Sequence, residues 1–67
     1  MDLLEIRRLL KESKIGYIWV YTYSQVPLCI FEERIEGIFI AKSFPCSKRT
    51  FEIKGSDIKG LKENNAG

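Results

Sequence analysis

Few side chains in this sequence are suited to catalysis. The 67 residues include no histidine, the side chain that enzymes use most often as a general base. Cys29 and Cys46 are the only cysteines, and without a histidine neither has an obvious group that would activate it as a nucleophile. The sequence also lacks a glycine-rich phosphate-binding loop. It therefore predicts a protein that is not an enzyme and that carries no cofactor.

Metal binding has little support in the sequence. Three glutamates near a predicted hairpin turn could hold a divalent cation: Glu32, Glu33 and Glu36. A polar turn, in which Arg34 offsets part of the charge, explains them more simply. Two cysteines without a histidine cannot supply the four ligands of a structural zinc site. We therefore expect no metal. For the cysteines, a buried thiol at Cys29 in a strand and a loop thiol at Cys46 are preferred to the alternative of a disulfide, which some intracellular hyperthermophile proteins contain.

Basic residues surround the connection between the third and fourth predicted strands: Lys42, Lys48, Arg49 and Lys54. Together with the tyrosines of the chain, these cations could contact phosphates in a small nucleic-acid-binding module. A solvated loop explains the same group. The net charge of +2 is also low for a nucleic-acid-binding protein. Nucleic-acid binding is therefore the alternative hypothesis rather than the first one.

Aromatic residues alternate along one predicted strand, and we call these four residues the aromatic stripe: Tyr17, Trp19, Tyr21 and Tyr23. In a β-strand they would share one face. They could belong to the core, stack on the bases of single-stranded nucleic acid, or lie at the centre of a protein interface. Three buried tyrosine hydroxyls would each need a hydrogen-bond partner, which favours a partly exposed stripe with Ile18 and Val20 inside. Because this strand carries no charge, the stripe favours a protein partner.

One helix and a series of short strands must position these residues. Residues 2–12 are predicted to form an amphipathic helix with Asp2 as its N-cap, and its exposed side would carry Leu4, Arg8 and Lys11. Strands are predicted at residues 17–23, 28–32, 38–42 and 50–54, followed by a short helical turn through Leu61. The fold prediction is one α+β domain, residues 1–61, in which the N-terminal helix packs on a three- to four-stranded antiparallel β-meander. Residues 62–67 are predicted to form a frayed polar tail.

Three of the four predicted strands are apolar on both sides. Only the strand at residues 50–54 alternates cleanly, with Phe51 and Ile53 on one side and polar residues on the other. One helix of about three turns can cover only one face of a sheet. The second face therefore needs a curled sheet, a second copy of the chain in a homodimer, or another partner.

The sequence shows neither a membrane-spanning segment nor an export signal. No run approaches the roughly 18 apolar residues of a transmembrane helix, and the N-terminus lacks the pattern of a signal peptide. We therefore expect a cytoplasmic protein without a membrane partner. The nine isoleucines, the single glutamine and the similar lysine and glutamate contents are typical of hyperthermophile proteins, and also of proteins encoded by AT-rich genomes.

A short motif and the layout of the chain resemble proteins of DNA replication. The segment from Gln25 to Phe31 resembles the sliding-clamp-binding box, with Leu28 at the aliphatic position and Phe31 at the first aromatic position. Glu32 departs from the pattern at the second aromatic position. In length, composition and order of elements, the whole chain resembles the small inhibitor of the sliding clamp (PCNA) of hyperthermophilic archaea. The resemblance implies a protein that binds the clamp without a standard box, prevents its ring assembly and blocks clamp-dependent DNA synthesis.

The sequence thus predicts a non-enzymatic regulator that binds another protein, with a subunit of the sliding clamp as the suspected partner. The expected contact residues are the aromatic stripe and the exposed side of the helix: Leu4, Arg8, Lys11, Tyr17, Trp19, Tyr21 and Tyr23.

Overall fold

The computed structural model describes residues 1–62, which form an N-terminal helix and an antiparallel sheet. Helix α1 (Leu3–Glu12) is followed by β1 (Ile18–Thr22), β2 (Pro27–Ile35), β3 (Ile38–Lys42) and β4 (Phe51–Lys54). A 3-10 turn, Gly55–Asp57, then leads into β5 (Ile58–Leu61). The α+β class and the antiparallel arrangement are confirmed, but the described sheet has five strands rather than three or four.

The fifth strand occupies the region that was predicted to form a helical turn through Leu61. Only residues 55–57 form a turn, and the next four residues form β5, which pairs with β1 so that Leu61 lies opposite Val20. Strand pairing prevails because it buries Ile58 completely, whereas an isolated helical turn is marginal in water. The predicted polar tail lies outside the described residues except for Lys62, whose amide donates a hydrogen bond to the carbonyl of Trp19 (3.0 Å).

The sheet is strongly curled. Its strand order is β4-β3-β2-β1-β5, so the two strands joined by the 3-10 turn lie at opposite edges. In a flat sheet these edges would be about 19 Å apart, but the chain from Lys54 to Ile58 can span only about 14 Å. The turn therefore closes the sheet towards a barrel. The two irregularities in the pairing of β2 with β3 add to the bend.

The core lies on the concave face of this sheet, and α1 covers one end of it. Its buried residues come from the helix and from four of the strands: Ile6, Val20, Leu28, Ile30, Phe39, Ala41 and Ile58. Ile18 packs against this cluster, so the face opposite the aromatic stripe is the inner one, as expected. Asp2 precedes the helix as N-cap, but its carboxylate makes no capping hydrogen bond; its main-chain carbonyl accepts the amide of Ile6 (3.0 Å).

We call the covered end of the sheet the closed end, defined by Leu3, Ile6, Phe39 and Gly55. These groups are tightly packed, because a Cβ atom placed on Gly55 would lie 2.6 Å from Cδ2 of Leu3 and 3.1 Å from Cε1 of Phe39. Gly55 is buried, and its amide donates to the carbonyl of Gly37 (2.8 Å). The short connection between the sheet edges is therefore fixed beneath the helix.

Candidate protein-binding site

The aromatic stripe lies on the convex, outer face of the sheet. Tyr17, Trp19 and Tyr21 are half-buried, whereas Tyr23 follows the end of β1 and is exposed. Val20, between Trp19 and Tyr21, is in the core. The need of the tyrosine hydroxyls for hydrogen-bond partners predicted this partly exposed arrangement. Three side chains of the stripe thus lie on the sheet, and Tyr23 lies beyond the end of β1.

Lys62, which follows β5, covers part of the stripe, and Lys42 of β3 covers the adjacent Phe31 ring. The Nζ atom of Lys62 lies 4.9 Å from the centre of the Trp19 ring, and Nζ of Lys42 lies 4.8 Å from the centre of the Phe31 ring. The Phe31 ring in turn packs on Tyr17, with 5.1 Å between ring centres. These cation–π contacts shield the aromatic faces and place charge beside a strand that has none of its own. Sequence reasoning missed Phe31 and Lys62 as neighbours of the stripe, because only the strand register brings them there.

Cys29 lies on the same outer face of the sheet as Trp19 and Lys42. In the register of the sheet it is opposite Trp19 on one side and Lys42 on the other, and it is fully buried. Burial raises the pKa of the Cys29 thiol, against the smaller opposing effect of the Lys62 and Lys42 charges. Cys46 is exposed in the connection before β4, and both cysteines are free, which agrees with the thiols expected from the sequence.

The exposed side of α1 carries the other predicted contact residues. Leu4 is 69% exposed, and Lys11 is also exposed. Arg8 makes ion pairs with Glu5 (3.9 Å) and Glu12 (3.6 Å) on the helix surface. Because α1 packs against the concave face, this side of the helix and the convex face with the stripe belong to opposite layers. The structure therefore does not unite the predicted contact residues into one surface.

The four basic residues of the alternative hypothesis are also divided. Lys42 lies on the outer face beside Phe31. Lys48 and Arg49 are exposed in the connection between β3 and β4, and Lys54 is exposed at the end of β4. Three of the four cations thus adjoin β4, whereas Lys42 belongs to the layer of the aromatic stripe.

One of the three glutamates considered for a metal has a structural partner. Arg7 of α1 donates two hydrogen bonds to the Glu33 carboxylate, both 2.7 Å long, and the amide of Gly37 donates a third of 2.7 Å. These bonds lower the pKa of Glu33 to about 2. They tie the helix to the hairpin between β2 and β3. Within residues 1–62 no group of acidic, cysteine or histidine side chains is arranged to hold a metal ion.

An apolar groove lies at the end of the sheet away from α1, and we call it the open groove. Its volume is about 480 Å³, and its apolar lining residues come from β4 and from the β1–β2 hairpin: Tyr23, Val26, Leu28, Phe51 and Ile53. Val26 is 47% exposed and Phe51 39% exposed, although both are apolar. Asp57 is the charged residue among the groove-lining side chains. None of these residues except Tyr23 was predicted as a contact, since the groove depends on the curl of the sheet.

A second depression lies along β5 and is less suited to a protein contact. It has a volume of about 510 Å³ and is lined by Tyr21, Gln25, Lys59, Gly60 and Leu61. Two of these five residues have apolar or aromatic side chains, whereas five of the nine residues of the open groove do. The open groove is therefore the larger uncovered apolar surface.

The segment that resembles a clamp-binding box is built into the fold. Gln25 occupies the tight turn with a positive φ of 64°, and β2 begins two residues later at Pro27. Leu28 is buried in the core, and Phe31 packs on Tyr17. The motif is therefore part of the folded sheet rather than an exposed segment, although Leu28 also lines the open groove.

Comparisons with known proteins do not place the chain in a family. No family model matches it, and searches of curated proteins and of solved structures return no significant match. Within residues 1–62 no helix combines the length and the apolar character needed to cross a lipid bilayer. The curled sheet with its open groove is therefore the basis for a functional proposal.

Proposed function

We propose that this protein is a non-enzymatic regulator that acts by binding another protein, and that the open groove is its main contact surface. The exposure of Tyr23, Val26 and Phe51 around one groove supports the proposal. A contiguous apolar surface that stays exposed is typical of an interaction site. Aromatic residues such as Tyr23 and Phe51 are also the usual anchors of protein interfaces.

A subunit of the DNA sliding clamp is the first partner to test. This choice is based on the resemblance of the whole chain to the small archaeal inhibitor of the clamp. The protein would bind a clamp subunit, prevent ring assembly and so block clamp-dependent DNA replication. Since Leu28 is buried, the box-like segment would not make the contact in the usual way. Binding would instead use a surface of the folded domain, in agreement with an inhibitor that lacks a standard box.

Calorimetric titration of the purified clamp subunit with single variants tests both the partner and the surface. Phe51→Ala in the open groove is expected to weaken binding by at least about tenfold, as for an interface anchor. Trp19→Ala on the outer face and Leu4→Ala on the helix serve as matched probes of the other two surfaces. Circular dichroism confirms that each variant is folded.

The outcomes separate the two parts of the proposal. No binding by the unaltered protein removes the clamp as its partner. Binding that is unaffected by Phe51→Ala but lost in Trp19→Ala or Leu4→Ala moves the contact to the stripe or to the helix, and the assignment to the open groove is then wrong.

Nucleic-acid binding on the outer face is a second candidate function. It gains support from Lys42 and Lys62, which lie over aromatic rings and so bring cations to the stripe. Single strands are commonly bound by such combinations of aromatic and basic side chains. Titration with a fluorescent oligothymidylate at increasing salt is the test, because phosphate contacts lose affinity steeply as salt rises whereas an apolar protein interface does not.

A further inference from the structure

We propose that the open groove binds an extended segment of the partner protein, which adds to the outer edge of β4 as a further strand. This inference rests on the proposed function and deepens it, because it names the chemistry of the bound segment. The segment has apolar residues at alternate positions and acidic residues between them.

The outer edge of β4 is available for pairing. In the strand order, β4 is at one edge of the sheet, and within residues 1–62 no strand pairs with its outer side. The opposite edge is different, since the N-terminal ammonium group of Met1 donates a 2.7 Å hydrogen bond to the carbonyl of Ile58 in β5. One edge is thus partly covered by the chain itself, whereas the other remains open.

The register of β4 identifies which of its main-chain groups already have partners. The amide of Gly55 donates to the carbonyl of Gly37, so these two opposite residues form a hydrogen-bonded pair. Hydrogen-bonded and non-hydrogen-bonded pairs alternate along an antiparallel ladder. Ile53 and Phe51, two and four residues before Gly55, are therefore bonded to β3.

The intervening residues of β4 direct their main-chain groups away from β3. The N–H and C=O groups of Glu52 and the N–H group of Lys54 point towards the outer edge. They are spaced as a strand requires, and a bound segment could pair with them as in other cases of strand addition. Main-chain bonding would supply affinity without demanding one particular sequence.

The groove beside this edge determines which side chains the segment carries. Phe51 and Ile53 lie on the inner face of β4, and Tyr23 and Val26 line the groove from the β1–β2 hairpin. Successive side chains of an added strand alternate between two faces. One set would therefore enter the apolar groove, and the other would remain outside.

The charges near β4 select acidic residues for the outer positions. Lys48, Arg49 and Lys54 are exposed next to or on the strand, and Glu52 is paired with Arg34 at 3.3 Å. Carboxylates on the segment would meet an excess of positive charge. A second copy of this chain is a poorer occupant, because its edge strands would bring their own lysines, Lys54 and Lys59, to these cations.

Amide hydrogen exchange on the full-length, isotope-labelled protein tests the pairing directly. The probe is an acetylated and amidated nine-residue peptide with valine at alternate positions and aspartate between them. We expect the amides of Glu52 and Lys54 to become protected on saturation, while the amide of Ile53, which is bonded to β3, is protected throughout. Bound peptide without new protection at Glu52 and Lys54 would overturn strand addition.

Two variants at one position provide the matched control. Glu52→Pro removes the outward N–H group without removing a bond to β3, and proline is tolerated on such an edge. Glu52→Ala removes the same side chain but keeps the N–H group. We expect Glu52→Pro to weaken peptide binding about tenfold relative to Glu52→Ala, as for the loss of one hydrogen bond. Equal affinities would overturn the proposal.

Three further results separate this inference from the proposed function. A peptide with lysine in place of aspartate should bind at least about tenfold more weakly, and equal binding refutes the acidic chemistry. If no peptide binds but Phe51→Ala still weakens clamp binding, the groove binds a partner in another way and strand addition is wrong. If sedimentation shows self-association, and Glu52 and Lys54 are protected without peptide, a second copy occupies the edge and the proposal is likewise overturned.

Discussion

The two ends of the curled sheet are built from the same strands but are completed differently. At the closed end, Leu3 and Ile6 of α1 pack over Gly55 and Phe39, and little space remains. At the open groove, Phe51 and Val26 are only partly covered and keep 39% and 47% of their surface exposed. The chain thus has one helix for a sheet with two ends, and part of its exposed apolar surface lies at the second end.

This difference shows where the apolar residues of the strands that are apolar on both sides are covered and where they stay exposed. The convex face, which looked like a second apolar surface, is largely covered by contacts within the domain, such as those of Lys62 with Trp19 and Lys42 with Phe31. Curling of the sheet buries much of the remaining apolar surface of the strands. The open groove, rather than a whole face of the sheet, is therefore the surface that we propose for a partner.

The largest effect on stability is expected for substitution of a phenylalanine at the closed end, compared with a phenylalanine at the open groove. Phe39→Ala at the closed end should lower the free energy of unfolding by about 3–5 kcal/mol, because Phe39 is fully buried. Phe51→Ala at the open groove should lower it by only about 1 kcal/mol. Urea denaturation followed by circular dichroism measures both. If Phe39→Ala does not fold, the milder variants Phe39→Leu and Phe51→Leu replace the alanine variants, and Phe39→Leu is again expected to lose more stability. Equal losses of unfolding free energy would contradict the comparison of the two ends.

A smaller effect is expected at the connection between the sheet edges. Gly55→Ala should destabilise the protein by about 1–2 kcal/mol, because the added Cβ meets Leu3 at 2.6 Å and the ring of Phe39 at 3.1 Å. Gly60→Ala in β5 is the control, since no atom lies within 4 Å of its added Cβ. Thermal unfolding of the two variants checks the prediction. A neutral Gly55→Ala would mean that the closed end has room to adjust.

The smallest effect concerns the ion pair that ties α1 to the sheet. The folded-state pKa of Glu33 is about 2, below its ordinary value of 4.5. Its stabilising contribution is therefore complete above about pH 4.5 and is lost as pH falls towards 2. Glu33→Gln should be less stable than the unaltered protein at pH 7, and the difference should vanish near pH 2.

Unfolding by urea across this pH range gives the measurement. Glu12→Gln is the control, because the contact of Glu12 with Arg8 is exposed and 3.6 Å long. A constant difference between Glu33→Gln and the unaltered protein from pH 7 to pH 2 would show that the ion pair does not link α1 to the sheet in solution.

Local patterns predicted α1 and the first four strands, but not the fifth strand or the assembly of the sheet. β3 lies at the predicted residues, and α1 and β4 begin one residue later than predicted, because apolar periodicity and glycines mark these segments. β5 was missed because Ile58–Leu61 carries one buried residue and a glycine, so its pattern is weak and its pairing with β1 comes from distant sequence. Pairing over such separations is not visible in a local window.

The candidate site was predictable only in part. Alternation along β1 correctly placed Val20 inside and the aromatic residues outside. The lysines over Trp19 and Phe31 depend on strand register, and the open groove depends on the closure of the sheet by residues 55–57. Neither property follows from spacing along one strand, which explains why Phe51 and Val26 were absent from the predicted contacts.

The contact of Lys62 with Trp19 gives the domain an internal optical reporter. Trp19 is the only tryptophan in the chain, and the lysine above it directly follows β5, the strand whose pairing with β1 closes a loop of about 40 residues. Such a distant closure is expected to come late in folding. Tryptophan emission in a stopped-flow refolding experiment should therefore report the attachment of this last strand, separately from the earlier formation of α1 seen by circular dichroism.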